Sequence, residues 1–114
     1  MNYQITSDNM ELTPSMEVLT KQKFERLENK VKEYPEDTKY ARVVINTVPD
    51  NKFLVRAKFK VGGKEYFSDE TDYSVEGALI KTVEEIFQMM EKEKSKEKRT
   101  KVDIIDSVIE EMSQ

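Results

Sequence analysis

Residues 52–64 read KFLVRAKFKVGGK, and this stretch decides the fold. Apolar and mostly basic residues alternate, which is the period of a strand with one buried face. The strand should run over residues 52–61, and its inward side would carry Phe53, Val55, Ala57, Phe59 and Val61. Gly62 and Gly63 can both take the positive φ values of a tight hairpin turn. The sequence therefore predicts a second strand from residue 64 to about residue 71.

A further strand is predicted before this hairpin. Residues 39–48 are rich in β-forming residues, with Ala41, Val43 and Ile45 on one side. Pro49, Asp50 and Asn51 are turn formers and would connect the two strands. Residues 2–7 alternate weakly and predict one more short strand.

Two amphipathic helices flank these three consecutive strands. Thr13 and Pro14 are a typical helix start, because threonine caps free N–H groups and proline at the first position loses no bond. Apolar residues at steps of three and four continue this helix to about Lys32, and Tyr34-Pro35 ends it. Ser74 can cap a second helix over residues 75–94. Its apolar stripe would be Val75, Ala78, Leu79, Thr82, Val83, Ile86 and Met90.

The predicted order is β-α-β-β-β-α, which is an α+β fold with a four-stranded sheet. Each helix carries one apolar stripe, so we expect both helices to pack on one face of the sheet. The opposite face would then carry Arg42, Arg56, Lys58 and Lys60. Beyond the second helix, residues 91–101 are almost wholly charged. Residues 102–112 carry a small stripe of Ile105, Val108, Ile109 and Met112.

The composition argues against several kinds of chemistry. The 114 residues include no cysteine and no histidine, which excludes a thiolate nucleophile, a Ser-His-Asp triad and metal sites built on those residues. No glycine-rich phosphate loop is present. Asp69, Glu70 and Asp72 cluster at a strand end, but their spacing does not match a calcium loop. We therefore expect no catalytic residue, no metal site, no cofactor and no enzyme activity.

Charge is spread unevenly along this chain, whose net charge is −4. Residues 39–67 contain seven basic and two acidic residues, and residues 91–101 contain six and three. Local positive potential can attract a polyanion even when the whole protein is acidic. The apolar runs are too short to span a membrane, and residues 1–11 do not resemble a signal peptide, so we expect a cytoplasmic location.

Three groups of basic residues are candidates for nucleic-acid binding. Lys23, Arg26 and Lys30 line one side of the first helix. The second helix ends with Lys92, Lys94 and Lys96, and the open sheet face adds Arg42, Arg56, Lys58 and Lys60 as further RNA contacts. Small α/β domains read structured RNA through such residues on rigid elements. The alternative is that all three groups are simply solvated surface.

Aromatic residues near the hairpin admit two interpretations as well. Tyr66, Phe67 and Tyr73 could stack on bases. Packing in the core of a small sheet is the interpretation we favour. The register of this strand is ambiguous, because Tyr66 and Phe67 fall on opposite faces.

Several stretches of the chain resemble the ribosome hibernation-promoting factor / protein Y (ribosome-associated inhibitor A) family. Ile5-Thr6-Ser7, residues 10–14 (MELTP) and residues 24–28 (FERLE) are similar to the family's opening, I-T-x-x-x-[MVI]-E-[IL]-T-P and an amphipathic helix. The resemblance continues through residues 41–45, the Gly62-Gly63 hairpin and residues 74–79. It covers roughly residues 2–96 and is strongest to the short forms of the family.

The resemblance implies a fold similar to double-stranded RNA-binding domains. Residues 1–96 would be the ribosome-binding domain, and residues 97–114 a charged extension that is a short helix or disordered. It implies binding to the small ribosomal subunit, both rRNA and ribosomal proteins, in the channel of mRNA and tRNA. Translation would be inhibited by occlusion during stress or stationary phase. We expect no membrane or DNA partner and a monomer in solution.

The resemblance also implies which residues contact rRNA. Lys23, Arg26, Lys30, Lys92 and Lys96 match basic positions of the family, and Lys94 is added from its surroundings. The chain departs from the pattern at Glu76 and Glu85, where relatives carry tyrosine and lysine. The middle of the second helix is therefore acidic, and contacts there should be weaker or differently placed.

A different function remains open on the sequence alone. The chain would then be a protein-interaction or regulatory module of the same fold, whose partner is not the ribosome. Such a partner would dock on the stripe of Ile105, Val108, Ile109 and Met112. Charge reversal at Lys23, Arg26 and Lys92 would separate the two hypotheses, because it should abolish only RNA-dependent binding.

Overall fold

A computed structural model describes the backbone of residues 1–113 and the side chains of residues 1–94. The strands are β1 (Asn2–Thr6), β2 (Lys39–Val48), β3 (Lys52–Val61) and β4 (Lys64–Asp72). The helices are α1 (Pro14–Lys30) and α2 (Val75–Ser113), and a 3₁₀ turn at Glu36–Thr38 precedes β2. The order is β-α-β-β-β-α, so the predicted fold class is confirmed.

The four strands form one sheet in the order β1-β2-β3-β4. The first pair is parallel and the other two are antiparallel. Asp50 and Asn51 connect β2 to β3 with φ values of 70° and 58°, and Gly62 and Gly63 connect β3 to β4 at 54° and 84°. Two consecutive positive φ values make the turn whose twist matches that of antiparallel strands.

Gly62 is required at its position for a second reason. A Cβ atom there would lie 2.6 Å from Cε1 of Tyr34, in the loop that follows α1. A Cβ atom on Gly63 would meet no other atom within 4 Å, so only the φ of +84° favours glycine at that position.

Both helices contribute to one core on one side of the sheet. The capping residues act as predicted: Oγ1 of Thr13 accepts from the N–H of Met16, and Oγ of Ser74 accepts from the N–H of Gly77. Every residue of the predicted α2 stripe is buried. The buried apolar residues of the sheet are Ala41, Val43, Ile45, Val55, Ala57, Phe59 and Val61. The alternation of β2 and β3 was therefore predicted correctly.

The structure differs from the sequence predictions in several details. Helix α1 ends at Lys30 rather than Lys32, and α2 continues to Ser113 rather than ending near Lys94. The preference for core packing of Phe67 and Tyr73 was wrong, since their side chains are 58% and 69% exposed. Phe67 lies on the open face because the register pairs it with Lys58. In the part of the chain that the structure describes, no helix is long and apolar enough to cross a membrane.

Candidate nucleic-acid interface

The three basic candidates on α1 all form ion pairs with carboxylates on α2. Nζ of Lys23 lies 3.3 Å from Oε1 of Glu76. Arg26 pairs with Glu84, and Lys30 pairs with Glu91. The pairs follow the same order along both helices, so α1 and α2 lie side by side in the same direction. We call these contacts the interhelix ion pairs.

The ring of Phe87 lies beneath two of these cations. The guanidinium carbon of Arg26 is 3.9 Å from the ring centre, and Nζ of Lys30 is 4.5 Å from it. Partial burial lowers the pKa of Lys30, and the nearby charges of Lys94 and Arg26 lower it further. The Lys30 side chain is only 17% exposed, so part of this basic group belongs to the packing between the helices.

The basic residues near residue 94 of α2 have a different setting. Lys92 and Lys94 are exposed, and neither forms an ion pair or hydrogen bond within the described side chains. The side chain of Lys96, and the stripe of Ile105, Val108, Ile109 and Met112, lie outside the described residues. Lys92 and Lys94 are therefore more available to an anionic partner than the cations of α1.

The structure also brings the four sheet candidates together on the face opposite the helices. Arg42 of β2 lies opposite Lys58 of β3, and their neighbours Arg56 and Lys60 follow on the same side of β3. Arg42 and Arg56 are exposed. Nζ of Lys58 and of Lys60 lie 3.4 and 3.9 Å from Oε1 of Glu65.

The carboxylates at the end of β4 do not converge on a common point. Asp69 lies on the open face opposite Arg56, whereas Glu70 lies beside Glu85 of α2. Asp72 pairs with Lys81, with 2.9 Å between Oδ2 and Nζ. No group of three or more carboxylates arranged to hold a metal ion occurs among residues with described side chains. These side chains therefore serve local contacts.

Glu70 and Glu85 form a contact that the sequence did not predict. Three causes raise the pKa of Glu70. The hydrogen bond with Glu85 is the largest, and partial burial and the charge of Glu85 come after it. Oγ of Ser68 donates to Oε2 of Glu85 at 2.8 Å. The neighbouring carboxylate disfavours the charged form of Glu70, so Glu70 keeps its proton to a higher pH than a free glutamate does.

The interhelix ion pairs were also missed by the sequence interpretation. A signal for them exists, because Glu76, Glu84 and Glu91 recur at steps of eight and seven residues, close to whole helical turns. This acidic stripe of α2 is opposite in charge to the basic stripe of α1, whose members recur at shorter steps of three and four residues. Only the packing of the two helices shows that the stripes face each other.

Fold and surface together define a two-layer α+β domain with a basic open face and basic residues on both helices. The model of the family described as Sigma 54 modulation protein / S30EA ribosomal protein matches residues 3–98, and the chain belongs to this family. The predicted family is thereby confirmed.

At least two solved structures share the fold. The N-terminal domain of Protein Y from Thermus thermophilus superimposes with a TM-score of 0.67 at 19% identity, over 78% of this chain and 94% of that one. A ribosomal subunit interface protein from Coxiella burnetii gives a TM-score of 0.67 at 18% identity, over 83% and 99%. Among curated proteins, no sequence matches the chain.

Proposed function

We propose that the chain is a ribosome hibernation factor. It binds the small ribosomal subunit in the mRNA and tRNA channel and inhibits translation in the cytoplasm. The observation that carries this proposal is the match of residues 3–98 to the S30EA ribosomal protein family. The relative from Coxiella burnetii, of the same fold, is a ribosomal subunit interface protein. In this proposal the protein acts as a monomer and inhibits translation by filling the channel.

The proposed mechanism is steric and requires no chemical step. A compact domain occupies the space that mRNA and tRNA need, and its cations contact rRNA phosphates. Each phosphate contact releases counterions, so the affinity falls steeply as salt rises. The exposed Lys92 and Lys94 would make such contacts directly, with Lys96 beside them in the chain.

In the proposed complex, the cations of α1 contact rRNA phosphates only after they leave their carboxylate partners on α2. Lys23, Arg26 and Lys30 would each leave a carboxylate of α2 for a phosphate. The Arg26–Glu84 pair is exposed, and such a pair contributes only about 0–1 kcal/mol, so its exchange is energetically feasible; Lys30, only 17% exposed, exchanges less readily. The carboxylates remain nearby after the exchange and repel phosphates. These residues therefore contribute less to rRNA affinity than unpaired cations would.

Co-sedimentation with purified ribosomes and separated subunits tests the proposal. Saturable, salt-sensitive binding of about one copy to the small subunit and to the whole ribosome is expected. Displacement of bound mRNA and tRNA, and inhibition of translation in vitro, should follow at the same protein concentrations. No binding at low salt would overturn the proposal.

Charge reversal tests the proposed contact residues. Lys92→Glu should weaken small-subunit binding about tenfold, because it removes one phosphate contact and adds a repulsion. Lys21→Glu is the matched control, since it makes the same charge change on the side of α1 that faces Tyr3 of β1, where Nζ lies 5.8 Å from the ring centre. Equal losses in both variants would show that Lys92 makes no specific contact.

A further inference from the structure

The strands of the sheet face opposite the helices, here called the open face, are basic. Their cations are Arg42, Lys52, Arg56, Lys58 and Lys60, and their carboxylates are Glu65 and Asp69. The strands thus carry an excess of three positive charges on a chain whose net charge is −4, while Asp8 beside Asn46 and Asp37 in the groove by Lys58 add two negative charges at the margins. The positive centre of this face attracts polyanions and disfavours basic partners.

An exposed aromatic ring lies among these cations. Phe67 is 58% exposed and takes no part in the core. Nζ of Lys58 lies 5.7 Å from the centre of its ring. Arg42, Lys58 and Phe67 occupy opposed positions on three adjacent strands, so they form one row across the open face.

The neighbouring rows extend the same pattern. Tyr40, Lys60 and Glu65 form the row on the hairpin side, and Val44, Arg56 and Asp69 form the row on the other side. A groove of about 490 Å³ runs beside Tyr40, Lys58 and Lys60 toward the Gly62-Gly63 turn. The ring of Phe67 therefore has Lys58 opposite it on β3, Arg56 and Lys60 in the two neighbouring rows, and Glu65 and Asp69 on either side of it along β4.

We propose that the open face binds single-stranded RNA. Phe67 stacks on one base, and Arg42, Arg56, Lys58 and Lys60 contact the phosphates around it. Sheets that bind single strands combine these two elements, because every base has a flat face that an aromatic ring can cover. Duplex RNA cannot make the stacking contact with Phe67, since its bases are already stacked on each other.

This surface is independent of the contacts proposed for ribosome docking. The helices cover the other side of the sheet, so Lys23, Arg26 and Lys30 face away from Phe67. The contacts of Lys58 and Lys60 with Glu65, at 3.4 and 3.9 Å, are exposed and can be exchanged for phosphates at little cost. Arg42 and Arg56 have no ion pair to give up within the described side chains, so they can contact phosphates directly.

Tryptophan fluorescence tests the proposal directly, because the chain contains no tryptophan. Phe67→Trp places a single reporter at the proposed stacking position. Adding a short oligo(U) at low salt should quench its emission, and the apparent affinity should fall with salt, with a slope of about −2 to −3 on a double-logarithmic plot. Val18→Trp is the matched control, since Val18 is 56% exposed on α1. Its emission should not change.

Two further variants separate stacking from charge, using a labelled oligo(U) and fluorescence anisotropy. Phe67→Ala should weaken binding about tenfold with little change in the salt slope. Arg42→Glu/Arg56→Glu should abolish most of the binding, whereas Lys21→Glu/Lys32→Glu, with the same net charge, should retain it. Circular dichroism melts confirm that each variant is folded before its affinity is interpreted.

Several outcomes would overturn the proposal. No quenching of Trp in the Phe67→Trp variant by oligo(U), or equal quenching in the Val18→Trp variant, excludes stacking at this position. Inorganic polyphosphate should bind without quenching the Trp emission. If oligo(U) also bound without quenching, the face would attract polyanions by charge alone. Quenching by an oligoglutamate peptide but not by RNA would assign the face to an acidic protein. None of these measurements contains ribosomes, so their failure leaves the proposed ribosome docking unaffected.

Discussion

The guanidinium of Arg26 lies over the ring of Phe87, with its central carbon 3.9 Å from the ring centre. The same side chain pairs with Glu84, one turn earlier on α2. Arg26 thus joins the two helices through a cation–π contact and an ion pair. An exposed cation–π contact contributes about 0.5–1 kcal/mol, so the protein's own packing competes with any anionic ligand for this residue.

Removing the competing carboxylate should strengthen ribosome binding. Glu84→Gln keeps the size of the side chain but deletes its charge, which leaves Arg26 free to contact phosphate. We expect the affinity for the small subunit at low salt to rise about threefold, consistent with the modest strength of exposed ion pairs. Filter binding or co-sedimentation at fixed salt measures the change.

A matched variant controls for the change in net charge. Glu17→Gln removes one exposed carboxylate from the first turn of α1, away from the interhelix ion pairs. Its effect on affinity should be smaller than that of Glu84→Gln. Equal gains would attribute the effect to net charge alone and would contradict the specific role of the Arg26–Glu84 pair.

In the β3–β4 turn, alanine should destabilise the protein more at Gly62 than at Gly63. Gly62→Ala combines a φ of +54° with a Cβ position 2.6 Å from Tyr34, whereas Gly63→Ala meets no atom within 4 Å. The first change should lower the free energy of unfolding by about 2–4 kcal/mol, and the second by about 1 kcal/mol. Urea denaturation measures both. In a Tyr34→Ala background the difference should largely vanish, and its persistence would refute the clash.

The Glu70–Glu85 contact should make stability depend on pH. The folded protein raises the pKa of Glu70, so the folded state holds its proton more strongly than the unfolded chain. This contribution is complete below the unfolded pKa and is lost as pH rises through the folded pKa. Glu70→Gln, which cannot ionise, should therefore raise stability at neutral pH by about 0.5–1 kcal/mol.

Thermal melts across a pH series test this prediction. The advantage of Glu70→Gln should shrink toward zero as the pH falls below the ordinary pKa range of glutamate. Glu25→Gln, on the exposed side of α1, serves as the control for the loss of one carboxylate. A constant gain at every pH would mean that repulsion between the two carboxylates is not its origin.

Lys39 should be replaceable by an apolar residue of similar length. Its side chain is buried, and Nζ reaches exposed Glu36 at 2.9 Å and the carbonyl of Val31 at 3.4 Å. The aliphatic stem supplies the packing, and apolar replacement of a buried cation is often neutral or stabilising. Lys39→Met should thus leave the unfolding free energy unchanged or higher.

A truncated variant completes this comparison. Lys39→Ala removes the stem as well as the charge and should cost about 2–3 kcal/mol in chemical denaturation. Equal destabilisation by Lys39→Met and Lys39→Ala would show that the ammonium, rather than the stem, stabilises the start of β2.

Local patterns in the sequence were sufficient for the fold. The alternation of residues 52–61, the turn residues on either side and the caps Thr13 and Ser74 each predicted a feature that the structure contains. Thr20 and Lys39 were missed as buried residues. Polar residues enter the core only where a local partner exists: Oγ1 of Thr20 donates to the carbonyl of Met16 at 2.7 Å. Periodicity of apolar residues does not report such partners.

The candidate site was predictable in composition but not in geometry. The sequence identified the basic residues of α1, yet their pairing with Glu76, Glu84 and Glu91 depends on how two helices pack. Phe67 was assigned to the core because nothing in β4 alone fixes the register of that strand. The pairing of Phe67 with Lys58 determines which of two adjacent aromatic residues faces outward.

The order of the strands in the sheet, β1-β2-β3-β4, has a consequence for how the chain folds. Each strand pairs with its neighbour in sequence, and two of the three connections are short turns. The meander of β2, β3 and β4 can therefore form from contacts between residues that are close in sequence. Such a topology is associated with fast folding. Helix α1 covers part of its inner surface, and the remainder stays uncovered until α2 is synthesised and docks. During translation, Val55 and Phe59 are thus the residues most in need of protection from aggregation.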